Sequence, residues 1–295
     1  MFKRLLLLVL AAGLLTSAAE ARPVHRPLPA GRVTDDLGVP VAEALRAAAR
    51  GRRVLVVFDI DNTLLTTPQD LGGDSWYVWQ RGQDDRKAAG DLLRDDGALL
   101  ALSGMRPTQP DMAALIARLQ AKGVAVYALS ARGPDLRGAT ERVLSAAGVD
   151  LSRAPECGPP LCVKRGRLGA AQIHAAGVRV GWPVTGPFRP VTVSDGVMLV
   201  AGQDKGLMLD LLLHSLPTRY DDVWFVDDTP ENIDHVRHAA PHIRARLHPF
   251  AYSRLWPDAA AFMQDKARQD KAEQGMAAVR AGVCAAIVSD LCAAR

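Results

Sequence analysis

The chain has 295 residues, 48% of them hydrophobic and 23% charged. This is ordinary globular composition, and the length suits one large α/β domain with an insertion, or a core plus a small second unit. The formal charge of +4 is mild and forms no long basic block, so no nucleic-acid polymer is expected as a partner, while a small positive excess suits anionic ligands.

In chain order, the first element is a leader. Lys3 and Arg4 precede the apolar run Leu5 to Leu15, and Ala19-Glu20-Ala21 offers a small-x-small cleavage site. That is the three-part layout of a secretory signal peptide over residues 1–21, and the run is too short for a comfortable membrane span. An uncleaved anchor is the alternative. With no cysteine after the run, a lipidated start is not expected. The mature chain is therefore expected to begin near Arg22, to keep no stable membrane span, and to work in the periplasm or as a secreted protein.

Residues 22–52 read as an N-terminal arm, Pro-rich at first (Pro23, Pro27, Pro29) and helical around Val41 to Arg50. A core over 53–255 opens with Val54-Leu55-Val56-Val57-Phe58, a continuous apolar run that predicts a buried parallel strand. Asp59-Ile60-Asp61-Asn62-Thr63 follows at once, placing two carboxylates where open α/β sheets put their ligand sites. A first insertion at about 66–107 carries Trp76, Tyr77 and Trp79 and then an acidic helical stretch. The helix Asp111 to Gln120 and the strand Val124 to Leu129 follow, and Ser130 stands directly after that strand.

A second insertion at about 151–200 holds Cys157 and Cys162, many Gly and Pro, and two β-prone runs, Arg189–Val193 and Val197–Val200, joined through Ser194-Asp195-Gly196, a hairpin signal. Structureless loops of this length are uncommon in compact domains, so both insertions predict cap-like functional segments. Lys205 opens the apolar helix Leu207 to Leu213. Asp227 and Asp228 directly follow the strand Val223 to Val226, and a last strand is expected at Ile243 to Leu247. Residues 256–295 read as a helical tail without a chemical signal of its own. The alternation of strands and helical segments predicts a parallel sheet with helices on both faces.

Four cysteines, Cys157, Cys162, Cys284 and Cys292, allow two disulfides in an exported chain and three pairings. The local pairs are simplest, although on one continuous helix Cys284 and Cys292 would stand roughly 12 Å apart, too far to bridge. Zinc competes less well, because neither spacing has the two-residue knuckle. His235, His238 and His242 fall at helical spacing, but Pro241 disrupts that geometry, so a helix face is preferred to a metal cluster.

The chemistry that fits these residues is phosphoryl transfer. It needs a nucleophile, a Mg²⁺ held by hard oxygen ligands, and donors for the equatorial phosphate oxygens. The ordered set Asp59-Ile60-Asp61-Asn62-Thr63, Ser130, Lys205 and Asp227-Asp228 resembles the haloacid dehalogenase (HAD) superfamily, mostly Mg²⁺-dependent phosphohydrolases on a Rossmann-like sheet. The chain is similar to poorly characterised exported bacterial members of that superfamily.

The resemblance implies that Asp59 attacks phosphorus to form an aspartyl-phosphate and that Asp61 protonates the leaving oxygen, then activates water. Thr63 would stabilise the loop, and Ser130, Lys205 and Asn62 would bind phosphate. Mg²⁺ would be held by the Asp59 carboxylate, the Asp61 carbonyl and Asp228, with Asp227 beside it. Asn232 stands where the resembled pattern has a further acid. Lys164 is the rival to Lys205, though its Gly- and Pro-rich surroundings fit less well than a helix start. Trp76, Trp79 and Arg132 are possible substrate contacts, against apolar packing for the tryptophans and a solvated position for the arginine. The expected function is an exported phosphomonoesterase for small organic phosphates; the alternative is a HAD-fold binding or envelope-interaction protein without turnover. Carbon–halogen hydrolysis fits less well, because those relatives lack the second acid.

Overall fold

Val54–Phe58 (β2) is buried along its whole length, and its alternate residues enter two different cores. That double burial explains the uninterrupted apolar run and makes β2 the centre of the fold. The structure, a computed structural model, describes residues 32–83, 89–158, 167–179, 181–182 and 187–286. The expected leader 1–21, Cys162, Lys164 and Cys292 lie outside them. Cys157 and Cys284 are both held in disulfides.

The elements run β1 (Arg32–Thr34), α1 (Gly38–Ala49), β2, β3 (Leu65–Thr66), α2 (Asp74–Arg81), α3 (Ala89–Leu102), β4 (Arg106–Pro107), α4 (Met112–Ala121), β5 (Ala125–Ser130), α5 (Arg137–Ala146), β6 (Arg167–Leu168), α6 (Ala170–Arg179), β7 (Val191–Ser194), β8 (Val197–Leu199), α7 (Lys205–Ser215), β9 (Asp222–Asp227), α8 (Pro230–Ala239), β10 (Arg246–Tyr252), α9 (Trp256–Gln264) and α10 (Lys266–Ala286). The main sheet has the order β1-β10-β9-β2-β5-β8-β7-β6. Pairing is parallel from β1 to β8, and β7 and β6 extend that edge antiparallel.

The molecule is thus a mixed α/β fold, its mostly parallel sheet flanked by helices. On one face Val54, Val56 and Phe58 meet Val41 of α1 and Ile116 and Leu119 of α4. On the other, Leu55 and Val57 join Met208 and Leu212 of α7 and Val236 of α8. Because β5 lies on one side of β2 and β9 on the other, the strand order reverses at β2. A crevice opens at such a point, beyond the carboxyl ends of the strands.

Between β7 and β8, Asp195 and Gly196 both have positive φ, 47° and 73°, as a two-residue hairpin turn requires. A Cβ on Gly196 would sit 2.5 Å from the Leu151 carbonyl oxygen. The last strand differs from expectation. It starts at Arg246 rather than Ile243 and runs through Pro249 to Tyr252. Pro disfavours central strands, but β1 covers β10 only from Phe250 onward, leaving Pro249 on the uncovered stretch. The expected arm supplies that edge strand, β1, as well as α1.

Between Thr66 and Arg106 the chain leaves the core through the antiparallel pair β3–β4, and α2 and α3 occupy the excursion. They pack on α9 and α10 in a third apolar cluster of Trp76, Leu92, Leu99, Phe262, Ala272 and Met276. Trp79 stands edge-on to Phe262, with ring centroids 6.1 Å apart. Arg280 reaches from α10 to the buried Asp95 of α3 at 2.6 Å. Trp76 is completely buried, so it packs the excursion and offers no face to a substrate. The tail that carried no chemical signal is the brace of this segment.

Candidate active site

Three strand ends, those of β2, β5 and β9, and one helix start, that of α7, build the site. The Asp59 N–H donates to the Val226 carbonyl at 2.8 Å, which carries the β2–β9 pairing one residue past the strand. The chain then turns tightly. The N–H groups of Leu64 and Leu65 both donate to the Ile60 carbonyl, at 3.0 and 2.8 Å, and Asn62 takes a left-handed φ of 56°, a conformation Asn tolerates better than most residues. The buried Thr63 hydroxyl accepts the Asp228 N–H at 3.0 Å, tying this turn to the end of β9.

Lys205 is the first residue of α7, whose start is capped by the Asp204 carboxylate accepting the Leu207 N–H at 2.9 Å. This cap supplies one of the acceptors that a helix start lacks. Lys205 is 1% exposed, and its ammonium donates to Asp59 Oδ1 at 2.6 Å and to Asp227 Oδ2 at 2.7 Å. The other Asp227 oxygen accepts the Thr229 N–H and the Asn232 amide, each at 2.9 Å. Asn232 therefore orients an acid here instead of supplying one.

Carboxylate oxygens of Asp59, Asp227 and Asp228 lie within 4.8 Å of one another. Burial, opposed by Lys205 and reinforced by Asp227 and Asp61, pushes the Asp59 carboxyl up to about 7. Burial, with Asp74, Asp227 and Asp59 adding to it, likewise raises Asp228 well above the usual carboxylate range. Burial alone would lower the Lys205 ammonium, but Asp227 and Asp59 outweigh it and raise it. Three converging carboxylates against one ammonium leave excess negative charge that a hard divalent cation would neutralise, and oxygen donors are what such a cation takes. The residues present fit a divalent metal.

The Asp61 side chain stands apart from that trio. Arg132 holds it with two hydrogen bonds, Nη2 to Oδ1 at 2.7 Å and Nε to Oδ2 at 2.9 Å, and also donates to the Thr140 hydroxyl at 3.0 Å. Arg132 is buried, so neither the solvated position nor a free substrate contact describes it. Ser130 ends β5 fully buried, its hydroxyl accepting the Arg132 N–H at 3.2 Å. The expected phosphate ligand Asn62 is committed elsewhere: its amide nitrogen donates to Asp74 at 3.1 Å and its oxygen accepts the Thr66 hydroxyl at 3.1 Å. Trp79 is engaged edge-on with Phe262.

The structure thus brings Asp59, Lys205, Asp227 and Asp228 into direct contact range and gives Asp61 its own partner. The sequence showed an acidic helical stretch in the excursion but assigned none of its acids to the site. Asp74 opens α2 against Asn62, and burial pushes Asp96 of α3 up to about 7, Asp61 adding to the rise and Arg132 opposing it. The available signal was the cluster of Asp91, Asp95 and Asp96 in α3.

These features define an α/β protein with a buried lysine–carboxylate centre at the point where its strand order reverses. The chain belongs to the family described as "Protein of unknown function (DUF2608)", whose model matches residues 39–274. Among curated proteins none matches it. Among solved structures it is similar to a class C acid phosphatase from Bacillus anthracis with tungstate bound, at 15% identity and a TM-score of 0.37, over 80% of this chain and 86% of that one. Another structure of the class C acid phosphatase from Bacillus anthracis gives 13% identity and a TM-score of 0.35, over 80% and 89%.

Proposed function

We propose that this protein is an exported, Mg²⁺-dependent phosphomonoesterase of the HAD type, acting on small organic phosphates through an aspartyl-phosphate. The observation that carries this reading is the Lys205 ammonium bridging Asp59 and Asp227 beside Asp228, with a second acid, Asp61, two residues from the first and held separately. A site of this composition can present a carboxylate nucleophile and neutralise the equatorial phosphate oxygens.

In the first step an Asp59 oxygen forms a bond to phosphorus as the ester bond breaks, and Asp61 gives the departing oxygen its proton. In the second, water attacks phosphorus and gives a proton back to Asp61, which releases phosphate and restores Asp59. Lys205 holds the Asp59 side chain and balances the charge of the phosphoryl group, and Ser130 offers its hydroxyl to a phosphoryl oxygen. Asp59, Asp227 and Asp228 would hold the metal, which when bound supplies charge neutralisation at the phosphoryl group. Disulfides at Cys157 and Cys284 suit the oxidising compartment that the leader sequence implies. Among the described residues no helix is long and apolar enough to cross a membrane.

The test is Asp59→Asn. Hydrolysis of an aryl phosphate in Mg²⁺ should fall to background while the variant keeps its fold by circular dichroism, and chelation should silence the parent protein. Full activity in the variant, or activity that survives chelation, removes the mechanism. The hold of Arg132 on Asp61 favours one second reading, a HAD-fold binding module without turnover, because it occupies the acid that would move protons. Mg²⁺ binding with no hydrolysis across a panel of phosphate esters would establish that reading.

A further inference from the structure

Strand β9 ends at Asp227 and α8 starts at Pro230, so Asp228 and Thr229 lie between them, outside both. Backbone groups in such a turn need partners from elsewhere in the fold. The Asp228 N–H donates to the Thr63 hydroxyl at 3.0 Å, and the Asp228 carbonyl accepts the indole Nε1–H of Trp256 at 2.8 Å. Two elements distant in the chain thus hold the peptide groups on either side of the Asp228 Cα. Together they set the direction in which its carboxylate leaves the backbone.

Trp256 is itself well anchored. Its indole N–H can only donate, and its ring packs half-buried against the core on the α7–α8 side of the sheet. Its backbone N–H donates to the Ser253 carbonyl at 3.1 Å, and Pro257 follows it in the first turn of α9, where a fixed φ favours helix entry. About 9 Å further along the helix, Phe262 is buried in the cluster that holds the excursion. One helix therefore braces the excursion and grips the backbone of an acid of the candidate metal centre.

We propose that Trp256 is a positioning residue for the divalent metal: its hold on the Asp228 backbone keeps that carboxylate converging with Asp59 and Asp227 before a cation arrives. The inference rests on the metal-binding part of the proposed function and is independent of turnover. Carboxylate oxygens within 4.8 Å of one another repel. Lys205 hydrogen-bonds Asp59 and Asp227, whereas the Asp228 carboxylate has one long hydrogen bond among the described residues, from the Thr229 hydroxyl at 3.4 Å. Asp228 is thus the acid whose direction depends most on its backbone. Without the indole, its ordering would have to be met at the moment of metal binding, at a cost in affinity.

The test titrates Mg²⁺ into the full mature protein by calorimetry, with the melting temperature in chelator recorded beside it. W256F keeps a ring in place and removes the donor. Its Kd for Mg²⁺ should rise about tenfold, the lower end of what partners of metal ligands contribute, whether or not any ester is hydrolysed. A Kd equal to that of the parent overturns the inference even where the melting temperature falls, because packing alone would lower stability without touching the metal. That outcome leaves the phosphatase reading standing. In the parent, the nitrogen–proton resonance of the Trp256 indole, assigned by elimination, should move as Mg²⁺ is added. Should W256F fail to fold, a resonance that stays in place through the titration overturns the inference by itself. A parent that binds no divalent cation removes the metal centre and this role of Trp256 together.

Discussion

Arg132 grips both oxygens of Asp61 while its own backbone N–H meets Ser130, so one residue fixes the acid and the end of β5 together. A bidentate fork sets the direction of a carboxylate in a way a single ammonium cannot. In the proposed mechanism Arg132 positions Asp61, and its loss should act on the chemical step. R132A is expected to lower kcat for an aryl phosphate by about 100-fold, the lower end of what general acid–base groups contribute, with a smaller change in KM. R132K, which keeps charge without the fork, should fall between. A rise in kcat on removing Arg132 would mean that it blocks Asp61. The acids could be read from sequence because each stands directly after a strand, where chemistry and topology coincide. The Arg132–Asp61 pair could not, since it joins residues 71 positions apart whose contact depends on the β2–β5 register.

At the scale of elements, the placement of Lys205 depends on how closely α7 approaches α8. Helix α7 is buried almost all round, which suits a helix enclosed by other elements rather than an amphipathic surface helix. The closest approach is at Gly206, where an added Cβ would lie 2.1 Å from the His235 carbonyl oxygen. That oxygen is backbone and cannot rotate aside. Gly206→Ala should force the helices apart and destabilise the protein by about 1–3 kcal/mol. It should also draw Lys205 away from Asp59 and Asp227. A lower denaturation midpoint together with lost aryl phosphatase activity checks this; a midpoint equal to that of the parent would show that α7 can shift freely. The apolar run after Lys205 made this helix legible, but the contact with α8 was not, because a glycine in a helix start carries no signal of what approaches it.

Across the whole molecule, the parallel core was legible because β2, β5 and β9 are each buried on both faces and carry the continuous apolar runs that such burial demands. The edge strand β1 and the α9–α10 brace were not. Their residues are half-exposed, and their placement is set by surfaces that the core presents to them. The polar interior imposes a cost on that core, since Asp59, Asp227 and Asp228 converge around the single ammonium of Lys205. A bound cation should therefore raise the stability of the entire fold by mass action, by about 2.7 kcal/mol at a hundred times its Kd, or a rise in Tm of about 5–10 °C for a domain of this size. The sign with pH follows from Asp59. Its carboxyl moves from 3.8 to about 7 on folding, so in chelator the stability it allows is full below about pH 4 and is lost as pH rises toward 7. The Mg²⁺-induced rise in Tm should accordingly be larger at pH 8 than at pH 5, and D228N should reduce it at both. Sodium chloride at equal ionic strength would reproduce the rise if it came from general screening; an equal rise in salt, or an unchanged rise in D228N, would separate the metal from these acids.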